Sequence, residues 1–91
     1  SRQIDIISNS HIASIWFTVG LHLNDNLLLN SAFKMMDILR GVILSNSTHS
    51  FGFPVHFPPS GISSQIVTNN ISAKYFLEAS AKELKARKFF E

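Results

Sequence analysis

Four histidines, His11, His22, His49 and His56, are the side chains best suited to hold a metal or move a proton near neutral pH. Their spacing argues against both. His11 and His22 share the polar stripe of a helix but lie three turns apart, about 16 Å along its axis, too far to grip one ion. His49 and His56 sit in a proline-containing stretch with no carboxylate beside them. The chain has no Cys, so neither a thiolate ligand nor a disulfide is available. Serine is abundant, but there is no G-x-S-x-G, no P-loop and no H-E-x-x-H around which a nucleophile or a base could be organised. The three Asp and three Glu include no pair whose spacing singles out an acid and a base. We therefore expect no catalytic residue, no metal ligand and no cofactor, and a protein that is not an enzyme.

The remaining charged feature is KELKARK, whose Lys82, Lys85, Arg87 and Lys88 are candidates for binding phosphate or another anion. Three things weigh against that use. The formal charge of the whole chain is only +2, Glu78 and Glu83 dilute the cluster, and Phe89 and Phe90 follow the cations instead of alternating with them. A basic helix end also suits the negative pole of the helix dipole without any ligand. Nucleic acid or an anionic membrane surface is thus the alternative reading.

What stands out is the excess of apolar side chains. Charged residues make up 15% of the sequence, where about 25% is usual, while 45% are hydrophobic. A 91-residue chain buries only about 60 to 65% of its unfolded surface, so it has the most surface to cover with polar groups and here has few to spare. Part of that surface is expected to be covered by another molecule. No apolar run reaches the ~18 to 20 residues of a membrane span, and the N-terminus lacks the pattern of a signal peptide. The opening at Ser1, without Met, suggests an excised domain or a processed product. The Asn46-Ser47-Thr48 and Asn70-Ile71-Ser72 sequons are what a chain this rich in Asn and Ser produces by chance.

The elements that would carry these residues form a single helical domain. The lead-in SRQIDIIS reads equally as a short strand or a first helical turn. Ser8, Asn9 and Ser10 then offer caps for a helix over 11–23. On its wheel Ile12, Ile15, Trp16, Val19 and Leu23 form one face, Ala13, Phe17 and Leu21 widen it, and His11, Ser14, Thr18 and His22 are left for water. Asn24 or Asp25 caps a second helix over 26–44, whose polar stripe is Asn30, Lys34, Asp37 and Gly41, flanked by Ser31 and Arg40. So short a junction makes the two an antiparallel hairpin.

Residues 45–61 are expected to form an extended loop. Within it FGFPVHFPP places Phe51, Phe53, Val55 and Phe57 at period two, while Pro54, Pro58 and Pro59 bar a central strand. This aromatic strap either closes over the hairpin or docks on a partner. A short helix is predicted over 62–69 and a C-terminal amphipathic helix over 73–90, with Ala73, Leu77, Ala81 and Leu84 on its apolar stripe.

Taken in order, LLLNS, FKMMDILRGVI, FPPSGISSQIV and FLEASAKEL loosely resemble the helical N-terminal region of the regulatory subunits of translation initiation factor 2B. The likeness rests on common residue types, carries no diagnostic motif, and implies only a helical part of a larger assembly.

The fold class is therefore all-α. The function expected is a non-enzymatic protein-protein interaction module, either a homo-oligomer or a subunit of a larger complex. Trp16, Phe17, Phe33, Phe53 and Phe57 are the candidate interface anchors, because aromatic side chains dominate binding hot spots.

Overall fold

A computed structural model describes residues 4–45, 56–57 and 65–90, with side chains described over 5–44 and 71–90. It is all-α: helix α1 (Ile6–Leu23), helix α2 (Asn26–Ser45) and helix α3 (Gln65–Phe90) account for nearly all of these residues. The exception is an antiparallel pair of two-residue strands, β1 (Ile4–Asp5) and β2 (His56–Phe57), with Ile4 opposite Phe57 and Asp5 opposite His56.

Helix α1 begins at Ile6, not at His11, because Asp5 is its cap. The Asp5 carboxylate accepts hydrogen bonds from the Ser8 backbone N–H at 3.1 Å and the Ser8 hydroxyl at 2.9 Å, and Asn9 donates back to the Asp5 carbonyl at 2.7 Å. A carboxylate satisfies the orphan N–H groups of a first turn and complements its dipole. Ser8, Asn9 and Ser10 are thereby absorbed into the helix instead of starting it.

The other end of α1 closes with Asn24 in the left-handed conformation (φ 54°, ψ 40°), which Asn tolerates better than other residues with a Cβ. The Asp25 N–H then bonds the Gly20 carbonyl at 2.9 Å, and the Asp25 carboxylate accepts from the Leu28 N–H at 3.1 Å, capping α2. Two residues thus stop one helix and start the next. Gly20 makes the resulting hairpin close: a Cβ there would lie 2.8 Å from Cγ and Cδ2 of the fully buried Leu29.

Helix α3 is one continuous element of 26 residues, where a short helix over 62–69 and a second from 73 were expected. No Gly or Pro falls between Gln65 and Phe90. The β-branched residues and Asn69-Asn70 cost only a few tenths of a kcal/mol each, roughly, too little to interrupt a helix already propagating. Most of the expected 45–61 loop lies outside the described residues; within it, His56 and Phe57 are the β2 strand.

Helix α1 is the central element, with α2 antiparallel to it. His11 meets Tyr75 near the start of α1, while Thr18 and His22 share a groove with Lys82 and Lys85, so α3 runs parallel to α1. The core contains Ile6, Ala13 and Phe17 of α1, Leu29, Ala32, Met36, Leu39 and Val42 of α2, and Phe76, Ala79 and Ala86 of α3.

The faces that α1 and α3 bury are not the ones their hydrophobicity predicts. Helix α1 buries Ile6, Ser10, Ala13, Ser14, Phe17 and Gly20, so Ser14, expected to face water, is inside. Helix α3 buries Ser72, Phe76, Ala79, Glu83 and Ala86, and turns Leu77, Ala81 and Leu84 outward. In both, small side chains at helical spacing let the axes approach closely, and Phe17 or Phe76 fills the remaining space.

Candidate functional site

Turning small residues inward leaves large ones outside. On the side of α1 away from its neighbours, Ile12, Ile15, Val19 and Leu23 are 37, 45, 38 and 63% exposed. They follow one another at intervals of three and four residues, so they form a continuous stripe about 16 Å long. Trp16, half-buried and packed against the core, borders it. The sequence pattern places these five side chains on one face, and the structure leaves most of that face open.

Along its α3 edge the stripe runs into an open groove of about 590 Å³. Thr18, Val19, Leu21, His22 and Leu23 of α1 line one wall, and Lys82 and Lys85 of α3 line the other. Among the described residues Lys82 and Lys85 make no ion pair. Glu83, which lies between them in sequence, does not neutralise them because the helix carries it round to the α2 side.

There Glu83, only 4% exposed, is held by two arginines. Arg40 donates to both of its carboxylate oxygens, at 2.6 and 3.0 Å, and Arg87 donates to Oε2 at 2.9 Å. Arg40 also pairs with Asp37. The Glu83 hydrogen bonds raise the Arg40 guanidinium above its ordinary pKa, with Asp37 adding to the effect against partial desolvation. Arg87 lies over the Phe33 ring at 4.8 Å, a cation–π contact that engages its head group further. This cluster joins α2 to α3. With both oxygens engaged by arginines, the carboxylate is arranged to hold helices together.

The aromatic candidates are dispersed. Phe17 is fully buried in the core. Phe33 is half-buried, edge-on to Phe17 with ring centroids 5.2 Å apart, and it also meets Phe90 at 6.4 Å. Trp16 alone borders the α1 stripe. Phe53 lies outside the described residues, and Phe57 is placed in β2 without a described side chain. Of the four basic candidates, Lys82 and Lys85 line the groove, Arg87 is committed to Glu83, and Lys88 is exposed beside Phe89 and Phe90.

Among the described residues no three His, Asp or Glu side chains converge as a ligand set. His11 packs edge-on against Tyr75 at 5.7 Å, and His22 lines the groove. No described helix is long and apolar enough to cross a membrane. The residues that sequence reasoning missed as site formers are the aliphatics Ile12, Ile15, Val19 and Leu23. Their signal was present in the wheel, but a wheel carries no information about which side has neighbours.

No family model, no curated protein and no solved structure matches the chain. The functional reading rests on the residues themselves.

Proposed function

We propose that this chain is a non-enzymatic protein-interaction module whose working state has the outer face of α1 covered by another protein surface, either a second copy or a neighbouring subunit. One observation carries this reading: the stripe of Ile12, Ile15, Val19 and Leu23 lies open on the helix that the rest of the fold is built around. Covering the exposed part of these four side chains is worth roughly 3 to 6 kcal/mol, taking about half of the usual 1.5 to 3 kcal/mol for each fully buried aliphatic. Isolated exposed leucines are ordinary on protein surfaces, but an aligned row of four with a Trp at its edge has the form of a helix-packing face.

Sedimentation velocity over a concentration series tests this. The reading expects the chain to self-associate or lose solubility as concentration rises, and expects Ile15→Asp with Val19→Asp to abolish that while leaving the helical signal intact. A chain that stays folded, soluble and monomeric at high concentration with no partner counts against it.

A second reading is the binding of nucleic acid or an anionic surface through Lys82, Lys85, Arg87 and Lys88. It is favoured by the lack of ion pairs at Lys82 and Lys85 among the described residues and weakened by the commitment of Arg87 to Glu83. Such binding must weaken steeply with added salt; its absence at low salt, or its persistence unchanged at high salt, removes this reading.

A further inference from the structure

We infer that the groove between the C-terminal half of α1 and α3 receives an acidic amphipathic helix from a partner protein, with its apolar side chains on Val19 and Leu23 and its carboxylates against Lys82 and Lys85. The inference rests on the reading of the α1 face as an interface and names the chemistry of what covers it.

Shape selects a helix. The open stripe is a ridge of side chains at three- and four-residue spacing, the surface into which a second helix packs its own ridges. The only described strand edge is the two-residue pair at the opposite end of α1, so the groove offers no backbone for an extended peptide to pair with. The stripe is about 16 Å long and matches three turns of a ligand helix.

Charge selects acid. Lys82 and Lys85 border the apolar floor with no ion-pair partner among the described residues, because the carboxylate between them in sequence is locked on the far side by Arg40 and Arg87. Glu78, four residues before Lys82, makes no ion pair with it. An incoming carboxylate therefore meets two ammonium groups that no described residue pairs with.

The same argument disfavours a second copy in the groove. Ile6–Leu23 contains no Asp or Glu, so the only carboxylates a docked second α1 carries are Asp5 and Asp25 beyond the ends of its stripe, both already engaged as helix caps. The side chains beside its stripe are Ser8, His11, Thr18 and His22.

The test uses the full chain and two fluorescein-labelled designed peptides with the same leucine face, one with glutamate and one with lysine on its flanks, read by fluorescence anisotropy at low and high salt. The expected result is that the acidic peptide binds about tenfold more tightly than the basic one, a preference that salt compresses and that K82E with K85E reverses; K82Q with K85Q should cancel it. Amide chemical-shift changes should cluster at Val19, His22 and Lys85.

Four outcomes overturn the inference. Equal binding of both peptides, lost in Val19→Asp, leaves the interface reading standing but removes the acidic partner. Binding of neither peptide by a chain that self-associates through the α1 face makes the occupant a second copy. Neither peptide binding, with the chain monomeric and soluble, removes the interface reading as well. Capture by vesicles containing phosphatidylglycerol but not by phosphatidylcholine vesicles, without acidic-peptide binding, assigns the lysines to a lipid surface.

Discussion

The two sides of α1 are built in opposite ways. The side packed between α2 and α3 is lined with Ser10, Ala13, Ser14 and Gly20 around one large ring, Phe17, whereas the open side carries Ile12, Ile15, Val19 and Leu23. A ranking by hydrophobicity puts the second set inside. The structure buries the smaller set, as expected for a central helix with two neighbours, where small residues admit both and bulky ones hold them off. The α2–α3 boundary adds a third arrangement, in which the Arg40, Glu83 and Arg87 cluster joins helices that meet much less closely than either meets α1.

This contrast can be broken from the inside first. Phe17→Ala removes the largest side chain of the inner α1 face and should cost about 3 to 5 kcal/mol, read as a fall in the urea midpoint at unchanged slope. Arg40→Ala leaves the nearly buried Glu83 carboxylate with Arg87 alone. Its expected cost is roughly 1 to 3 kcal/mol, reduced from that of a fully buried pair because the Arg40 side chain is itself partly exposed. Thermal unfolding of Arg40→Ala beside Arg40→Ala with Glu83→Gln should show the double variant recovering part of the loss.

Gly20→Ala tests the close approach at the hairpin. The added methyl meets the fully buried Leu29, and the overpacking should outweigh the better helix propensity of Ala by roughly 1 to 2 kcal/mol. On the outer side the expectation reverses. Ile15→Asp with Val19→Asp should cost the dilute monomer only about 1 kcal/mol per site, the share of each side chain that the fold already buries, although it replaces two of the most hydrophobic residues of the helix. A large loss there would mean that the stripe is internal.

How much of this the sequence disclosed depended on whether the information was local. The hairpin was legible because Asn24-Asp25 supplies both a left-handed stop and a carboxylate cap within two residues. The polar stripe of α2 was legible as well, since Asn30, Ser31, Lys34, Asp37 and Gly41 are all exposed. The start of α1 was misplaced because three good caps in a row, Ser8, Asn9 and Ser10, masked the carboxylate of Asp5 just before them. The buried faces of α1 and α3 were misjudged because periodicity fixes which residues share a side, not which side finds a neighbour. Glu83 was read as a surface charge diluting its lysines. Its burial depends on Arg40, 43 residues away in sequence and one helix over, a relation that no local pattern contains.

The central claim is that the two sides of α1 differ in access within the same folded chain, and the lack of native cysteine allows a direct test. Val19→Cys and Ala13→Cys each introduce a single thiol whose reaction with a small thiol reagent can be timed in dilute, folded protein. The account predicts that the thiol at position 19 reacts in the folded chain without waiting for unfolding and slows when the face is occupied, whereas the thiol at position 13 reacts only as fast as the chain unfolds. Equal protection of the two in the dilute folded chain would contradict it.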